Sequence, residues 1–122
     1  MVSVMNLNAD DLIAINKEIF LGFWKIHILH HAAEEPVVGQ WMLKELRGHG
    51  YDVSPGTLYP MLKRMEDHGW LRSEADPGRG PKAPRRYYLS GKGRAVLDLI
   101  GGQLDELRRE LKGGARKETG TS

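Results

Sequence analysis

Three histidines and two glutamates crowd one nine-residue stretch: His27, His30, His31, Glu34 and Glu35. His27–His31, His30–Glu34 and His31–Glu35 are i, i+4 pairs, so on a helix each pair projects from one face and could share a divalent ion. Imidazole with carboxylate is the ligand mix of zinc and its neighbours in the first transition row. The plainer alternative leaves His27 and His31 as buried, hydrogen-bonded side chains near a subunit interface, with His30 exposed. His49 and His68 stand beside glycines at turns and carry no assignable chemistry. No nucleophile–base pair, paired carboxylates or phosphate-cradling loop can be found, and Gly78-Arg-Gly80 is too short to be one, so an enzyme is not expected. The chain contains no cysteine, which excludes disulfides, thiol catalysis and cysteine-ligated zinc.

A second chemistry lies in Ser54-Pro-Gly-Thr-Leu-Tyr-Pro-Met-Leu-Lys-Arg-Met-Glu-Asp-His-Gly-Trp-Leu71. Leu58, Met61, Leu62 and Met65 recur at the spacing of one buried helical face. The opposite face carries Thr57, Tyr59, Lys63 and Arg64, a set of hydroxyls and cations that suits insertion into a DNA major groove. Ser54 is placed to cap the helix with its hydroxyl, Pro55 sits where its missing N–H costs nothing, and Gly69 is placed to end it in a left-handed conformation. Pro60 breaks the pattern. At the sixth helical position it removes the bond to the Gly56 carbonyl, at a cost of up to ~3 kcal/mol in an ordinary helix interior. We expect a kink there that aims Tyr59 at the groove.

The elements that must carry these groups follow from periodicity and punctuation. A helix is expected from Asn8, with Asp10 and Asp11 in its first turn, and a second apolar stretch runs from Phe23 to Ala33 until Pro36 stops it, with Gly22 as a softening point. Val38 to Arg47 reads as a short helix closed by Gly48. A glycine-bearing turn joins it to the Ser54 helix, which makes a helix-turn-helix pattern. Trp70–Ala75 and Arg85–Ser90 read as strands of a β-hairpin whose tip is made of turn formers and cations: a wing, with six Lys/Arg and no acid from Arg79 to Arg94. Arg79, Lys82, Arg85 and Arg86 could lie along phosphates or enter a minor groove. Ser90 could cap a last helix in which Leu97, Ile100, Leu104, Leu107 and Leu111 form a two-heptad seam. That seam is expected to pack on a partner subunit, the alternative being a cap over its own domain.

The fold expected is mainly α with a small β-hairpin, divided as a disordered N-terminus (1–7), an N-terminal helix (8–21), a winged helix-turn-helix domain (22–90), a dimerisation helix (91–112) and a disordered tail (113–122). At 122 residues a single such domain has room for a modest core. The net charge is only +2, yet residues 44–94 hold eleven Lys/Arg against six Asp/Glu while residues 1–43 are net acidic. Positive charge therefore gathers around the Ser54 helix, as for a polyanion partner. No apolar run approaches the ~20 residues of a membrane span and no secretory signal is visible, so a cytoplasmic location without membrane partners is expected.

At this point the residues resemble the PadR family of winged helix-turn-helix transcription regulators. The likeness is carried by Ser54-Pro-Gly-Thr-Leu-Tyr-Pro60, by Leu62-Lys-Arg-Met-Glu66 with Gly69-Trp-Leu71, and by Arg85-Arg-Tyr-Tyr-Leu-Ser-Gly-Lys-Gly-Arg94, and it spans roughly residues 22–110. The length is similar to that of the short subfamily with one C-terminal dimerisation helix. The resemblance implies a homodimeric repressor that binds a near-palindromic DNA operator and is released by a small ligand. By position it implies that Ser54, Thr57, Tyr59, Lys63 and Arg64 face DNA, with the Arg79–Arg86 wing on the backbone or minor groove. It also implies an effector pocket between subunits, for which Phe23, Trp24 and Trp41 are the candidates if they are not simply core. No cofactor is required; a divalent transition metal or a small aromatic effector are the candidates. Two other readings stand beside the repressor: a metal-responsive regulator using the His27–Glu35 cluster, and a protein-interaction or architectural helix-turn-helix module without operator specificity.

Overall fold

A computed structural model describes residues 6–75, 80 and 83–113. Asn8 opens the first helix, α1 (Ala9–Ile15), with a reciprocal capping box: its side chain accepts the Asp11 N–H, and the Asp11 carboxylate accepts the Asn8 N–H. Gly22, the expected softening point, does not interrupt the helix. Instead the helix passes through a π turn at Asn16–Phe20, where the Leu21 N–H reaches back five residues to the Asn16 carbonyl, and continues as α2 (Leu21–Glu34). A glycine inside a helix costs only about 1 kcal/mol, too little to end one whose neighbours Trp24, Ile28, Leu29 and Ala32 are all buried.

Pro36 ends α2 as its chemistry requires, and a strand missed by periodicity follows: β1 (Val37–Val38). Two residues are too few to show alternation, and their partner lies about fifty residues away. α3 (Gly39–Gly48) and α4 (Pro55–Asp67) form the helix-turn-helix. Both end in the same device. Gly50 (φ +92°) and Gly69 (φ +84°) take left-handed backbone one residue beyond the cap. Tyr51 N–H then bonds the Leu46 carbonyl and Trp70 N–H the Met65 carbonyl, each as a Schellman motif. The terminator of α3 is therefore Gly50, not Gly48.

β2 (Leu71–Ala75) and β3 (Arg85–Leu89) pair antiparallel, Ser73 opposite Tyr87, and β1 adds to the far edge with Val37 opposite Tyr87. The hairpin expected from the sequence is thus part of a three-stranded sheet ordered β1-β3-β2. Gly80, Ala83 and Pro84 aside, the wing tip lies outside the described residues, Arg79 and Lys82 included, as do residues 1–5 of the expected disordered N-terminus and residues 114–122 of the expected tail. The core gathers Trp24, Ile28 and Leu29 from α2, Met42 and Leu46 from α3, Leu58, Met61, Leu62 and Met65 from α4, with Leu71 and Tyr87 from the sheet.

Ser90 caps α5 (Gly91–Lys112) by accepting the Gly93 N–H at 2.9 Å, and the same hydroxyl donates to the Gly69 carbonyl at 2.5 Å. The Ser90 N–H bonds the Trp70 carbonyl. The start of α5 is thereby tied to the turn that ends α4. Among the described residues no helix is long and apolar enough to cross a membrane.

Candidate nucleic-acid interface

Burial of Leu58, Met61, Leu62 and Met65 turns the other side of α4 outward, so Ser54, Lys63 and Arg64 are exposed, with Tyr59 40% exposed. Ser54 occupies the N-cap position, but its hydroxyl does not accept a backbone N–H. It donates to the Thr57 hydroxyl at 3.3 Å, while the Ser54 carbonyl takes the Thr57 and Leu58 N–H groups. With Pro55 lacking an N–H, one orphan donor has already been removed from the first turn. The hydroxyl pair is left on the outer surface.

Tyr59 does not stand free. Its ring lies against Gly39 at the start of α3, so closely that a Cβ at position 39 would overlap the ring atoms. α4 runs on through Pro60 to Asp67, and the ring spans the gap to α3. Only glycine at the first residue of α3 permits this approach. A cleft of about 450 Å³ opens beside it, between Gly39, Gln40, Tyr59, Pro84 and Arg85, where the base of the wing meets both helices.

The expected cations part company. Lys63 pairs with Asp67 one turn along at 2.7 Å, and this hydrogen bond, with the Asp67 charge, raises its pKa. Arg64 makes no hydrogen bond or ion pair among the described residues. Arg85 Nε donates to Ser73 Oγ at 3.0 Å, and Ser73 donates to the Glu66 carboxylate at 2.6 Å, a chain that ties the wing base to the back of α4. Strand alternation sends Arg86 to the opposite face, opposite Val38. There it lines a separate cleft of about 410 Å³ with His31, Glu34, Glu35 and Trp41. Arg85 and Arg86 therefore do not present one surface.

The three candidate aromatic residues, Phe23, Trp24 and Trp41, do not meet within one chain. Trp24 is 1% exposed core, its indole N–H buried without an acceptor among the described residues. Trp41 lies against His31 at the Arg86 cleft. Phe23 faces a third groove, about 420 Å³, with Ile26, His27, His30, Tyr51, Leu97, Gly101 and Leu104. The seam of α5 is also divided. Leu97 and Ile100 pack on their own domain's core, whereas Leu104, Leu107 and Leu111 are 39%, 51% and 72% exposed.

The histidine cluster is regrouped by tertiary structure. His30 and His31 each approach Glu34 at 3.6 Å, but Glu35 joins no such group among the described residues. His27 and His31 meet His49 instead, from the end of α3, with their ligand atoms within 4.8 Å of one another. The Glu45 carboxylate lies 3.2 Å from both His31 Nε2 and His49 Nε2. Burial, then the charges of His49, His31 and His30, push the His27 pKa down against the opposing pull of Glu45, keeping that ring neutral at neutral pH. The sequence around His49 does not show this role, because nothing in a glycine-flanked turn indicates which helix it will meet.

An α2–β1–α3–α4–β2–β3 order, with the second helix of the pair turned outward and a basic hairpin beside it, defines a winged helix-turn-helix transcription regulator. The model of the transcriptional regulator PadR-like family matches residues 28–99, and the chain belongs to that family. The chain is 48% identical over 96 residues to the transcriptional regulator Rv3488 of Mycobacterium tuberculosis, covering 79% of this chain and 89% of that protein. Among solved structures it is similar to a PadR family transcriptional regulator from Eggerthella lenta, with a TM-score of 0.71 at 30% identity, covering 93% of this chain and 96% of the other. It shares its fold with a PadR-like transcriptional regulator from Bacillus cereus, TM-score 0.69 at 22% identity, over 79% and 94% of the two chains. Members of such a family regulate transcription and are not enzymes, as the absence of catalytic pairs in the sequence led us to expect.

Proposed function

We propose that the chain acts as a homodimeric repressor that reads a near-palindromic operator through α4 and is released by a small ligand. The observation that carries the dimer is apolar surface left to water: Leu104, Leu107 and Leu111 on α5, with Leu12, Ile13, Ile19 and Phe23 on the N-terminal helix. Surface of this kind on two long helices is what a partner subunit covers. Two copies joined there would place two α4 helices for two half-sites. Ser54, Thr57, Tyr59, Lys63 and Arg64 then meet the major groove, and Arg85, with Arg79 and Lys82, the backbone beside it. Arg86 is left out of this surface. For the releasing ligand, the groove behind Phe23 and Tyr51 suits a small aromatic molecule. Its volume falls in the ~300–1,000 Å³ range of ligand sites, and Leu104 of the exposed seam forms one wall.

Competition against random DNA at fixed salt tests the reading, because true regulators hold their operators about 10³-fold or more tighter than non-specific DNA. If no sequence selected from a random pool survives that competition, the chain is an architectural or protein-interaction module.

Arg64, exposed on α4 and without a hydrogen bond or ion pair among the described residues, is the candidate to read a base. Arg64→Ala is expected to cost about 1–3 kcal/mol on the selected operator and to relax preference at one position. An equal loss on every sequence, with a shallower salt dependence, would assign it to a phosphate instead. The Tyr59 ring should act only where Gly39 lets it sit. In a double-mutant cycle, Gly39→Ala and Tyr59→Ala are each expected to weaken operator binding, with the pair little worse than either alone. Additive losses would mean that the position of the ring on α3 is irrelevant to DNA.

A further inference from the structure

We propose that His27, His31, Glu45 and His49 form a binding site for Zn²⁺ or a related divalent transition metal, joining α2 to the C-terminal end of α3. Three imidazoles converge from α2 and the turn after α3 rather than from one helical face, with the Glu45 carboxylate beside two of them as the fourth donor. The three imidazoles bring their ligand atoms within 4.8 Å of one another, and the Glu45 carboxylate lies 3.2 Å from two of them. Bonds of ~2.0–2.1 Å to a tetrahedral ion set neighbouring donors about 3.3 Å apart, so imidazole atoms up to 4.8 Å apart need to draw in by at most about 1.5 Å. The His27 and His49 rings stand with centroids 4.5 Å apart. The Tyr51 hydroxyl, 3.4 Å from His27 Nε2, is an outer partner of the kind that orients a ligating imidazole.

Position gives the site its use. His27 also borders the groove behind Phe23, and His49 and Tyr51 lie on the turn that leads into α4. An ion held there clamps α2 to the entry of the outward helix. This regulatory use rests on the DNA-binding reading above, but binding of the ion does not, and it is measured without DNA.

The untagged full chain, stripped with chelator, is titrated with Co²⁺ and Zn²⁺. We expect about one ion per chain, the intense visible d–d absorption of four-coordinate Co²⁺, and a rise in Tm with Zn²⁺. His49→Ala, checked for native circular dichroism, is expected to bind about a hundredfold more weakly or worse and to lose the Tm rise. His49→Cys should restore binding and add a thiolate-to-Co²⁺ charge-transfer band. Glu34→Ala should bind as the parent does. The proposal is overturned if His49→Ala binds like the parent, or if Glu34→Ala is the variant that loses the ion, which would move binding to His30, His31 and Glu34. Six-coordinate Co²⁺ spectra in the parent would equally end it.

Discussion

Gly93→Ala is expected to lower the melting temperature by on the order of 10–20 °C, a large effect for the addition of one methyl group. Gly93 is buried in the first turn of α5, and a Cβ there would fall onto the Trp70 carbonyl and the Leu89 side chain. A flexible side chain could swing aside, but Trp70 O is backbone and already accepts the Ser90 N–H. Relief requires α5 to lift away, which strains or breaks the Ser90 cap and the bond from Ser90 to the Gly69 carbonyl. Overpacking costs typically 1–3 kcal/mol, and a rigid backbone obstacle puts this site near the upper end. Gly102→Ala supplies the opposite sign: its Cβ meets nothing within 4 Å, and a mid-helix alanine should add about 0.5–1 kcal/mol. A thermal melt in which Gly93→Ala matches the parent would show that the tie between α5 and Trp70 carries no weight.

The double change Leu104→Glu with Leu107→Glu is expected to yield monomers and abolish operator binding while leaving the fold intact. Full burial of a leucine is worth roughly 1.5–3 kcal/mol, and both side chains are already partly covered in the single chain. At about half that value, four leucines per dimer contribute about 3–6 kcal/mol, or 10²–10⁴ in the association constant. Four carboxylates would then have to be desolvated in their place. Sedimentation and a thermal melt separate the effects: the mass should halve with little change in monomer stability. A sedimentation profile like that of the parent would remove this face of α5 from the interface.

Much of the framework was legible because it is local. The Asn8 cap, the four apolar positions of α4, the left-handed Gly69, the aromatic strand β3 and the Ser90 cap each depend on residues within a turn or two of one another. What escaped depends on neighbours distant in sequence. Val37–Val38 is a strand only because Tyr87 and Arg86 lie beside it. Gly39 matters because Tyr59, twenty residues later, lies over it. Arg85 and Arg86 are adjacent cations in sequence but opposite faces of a sheet, and the heptad of α5 gave no sign that Leu97 and Ile100 would be spent on their own core. The histidine cluster was visible as a cluster but its membership was not: Glu35 drops out while Glu45 and His49 enter, because α3 ends against α2.

The π turn at Asn16–Phe20 makes the N-terminal helix adjustable. A π turn holds one residue more than an α-helical turn, so everything before it is rotated by about 100° around the helix axis relative to an unbroken α-helix. The direction in which Leu12 and Ile13 point is therefore set by chain length as much as by residue type. A copy of this chain one residue shorter between Asn16 and Phe20 would keep its core, its outward α4 and its α5, yet turn a different N-terminal stripe outward. If the proposed dimer forms through that stripe, two such regulators that share α4 would be kept from pairing with each other by a single codon.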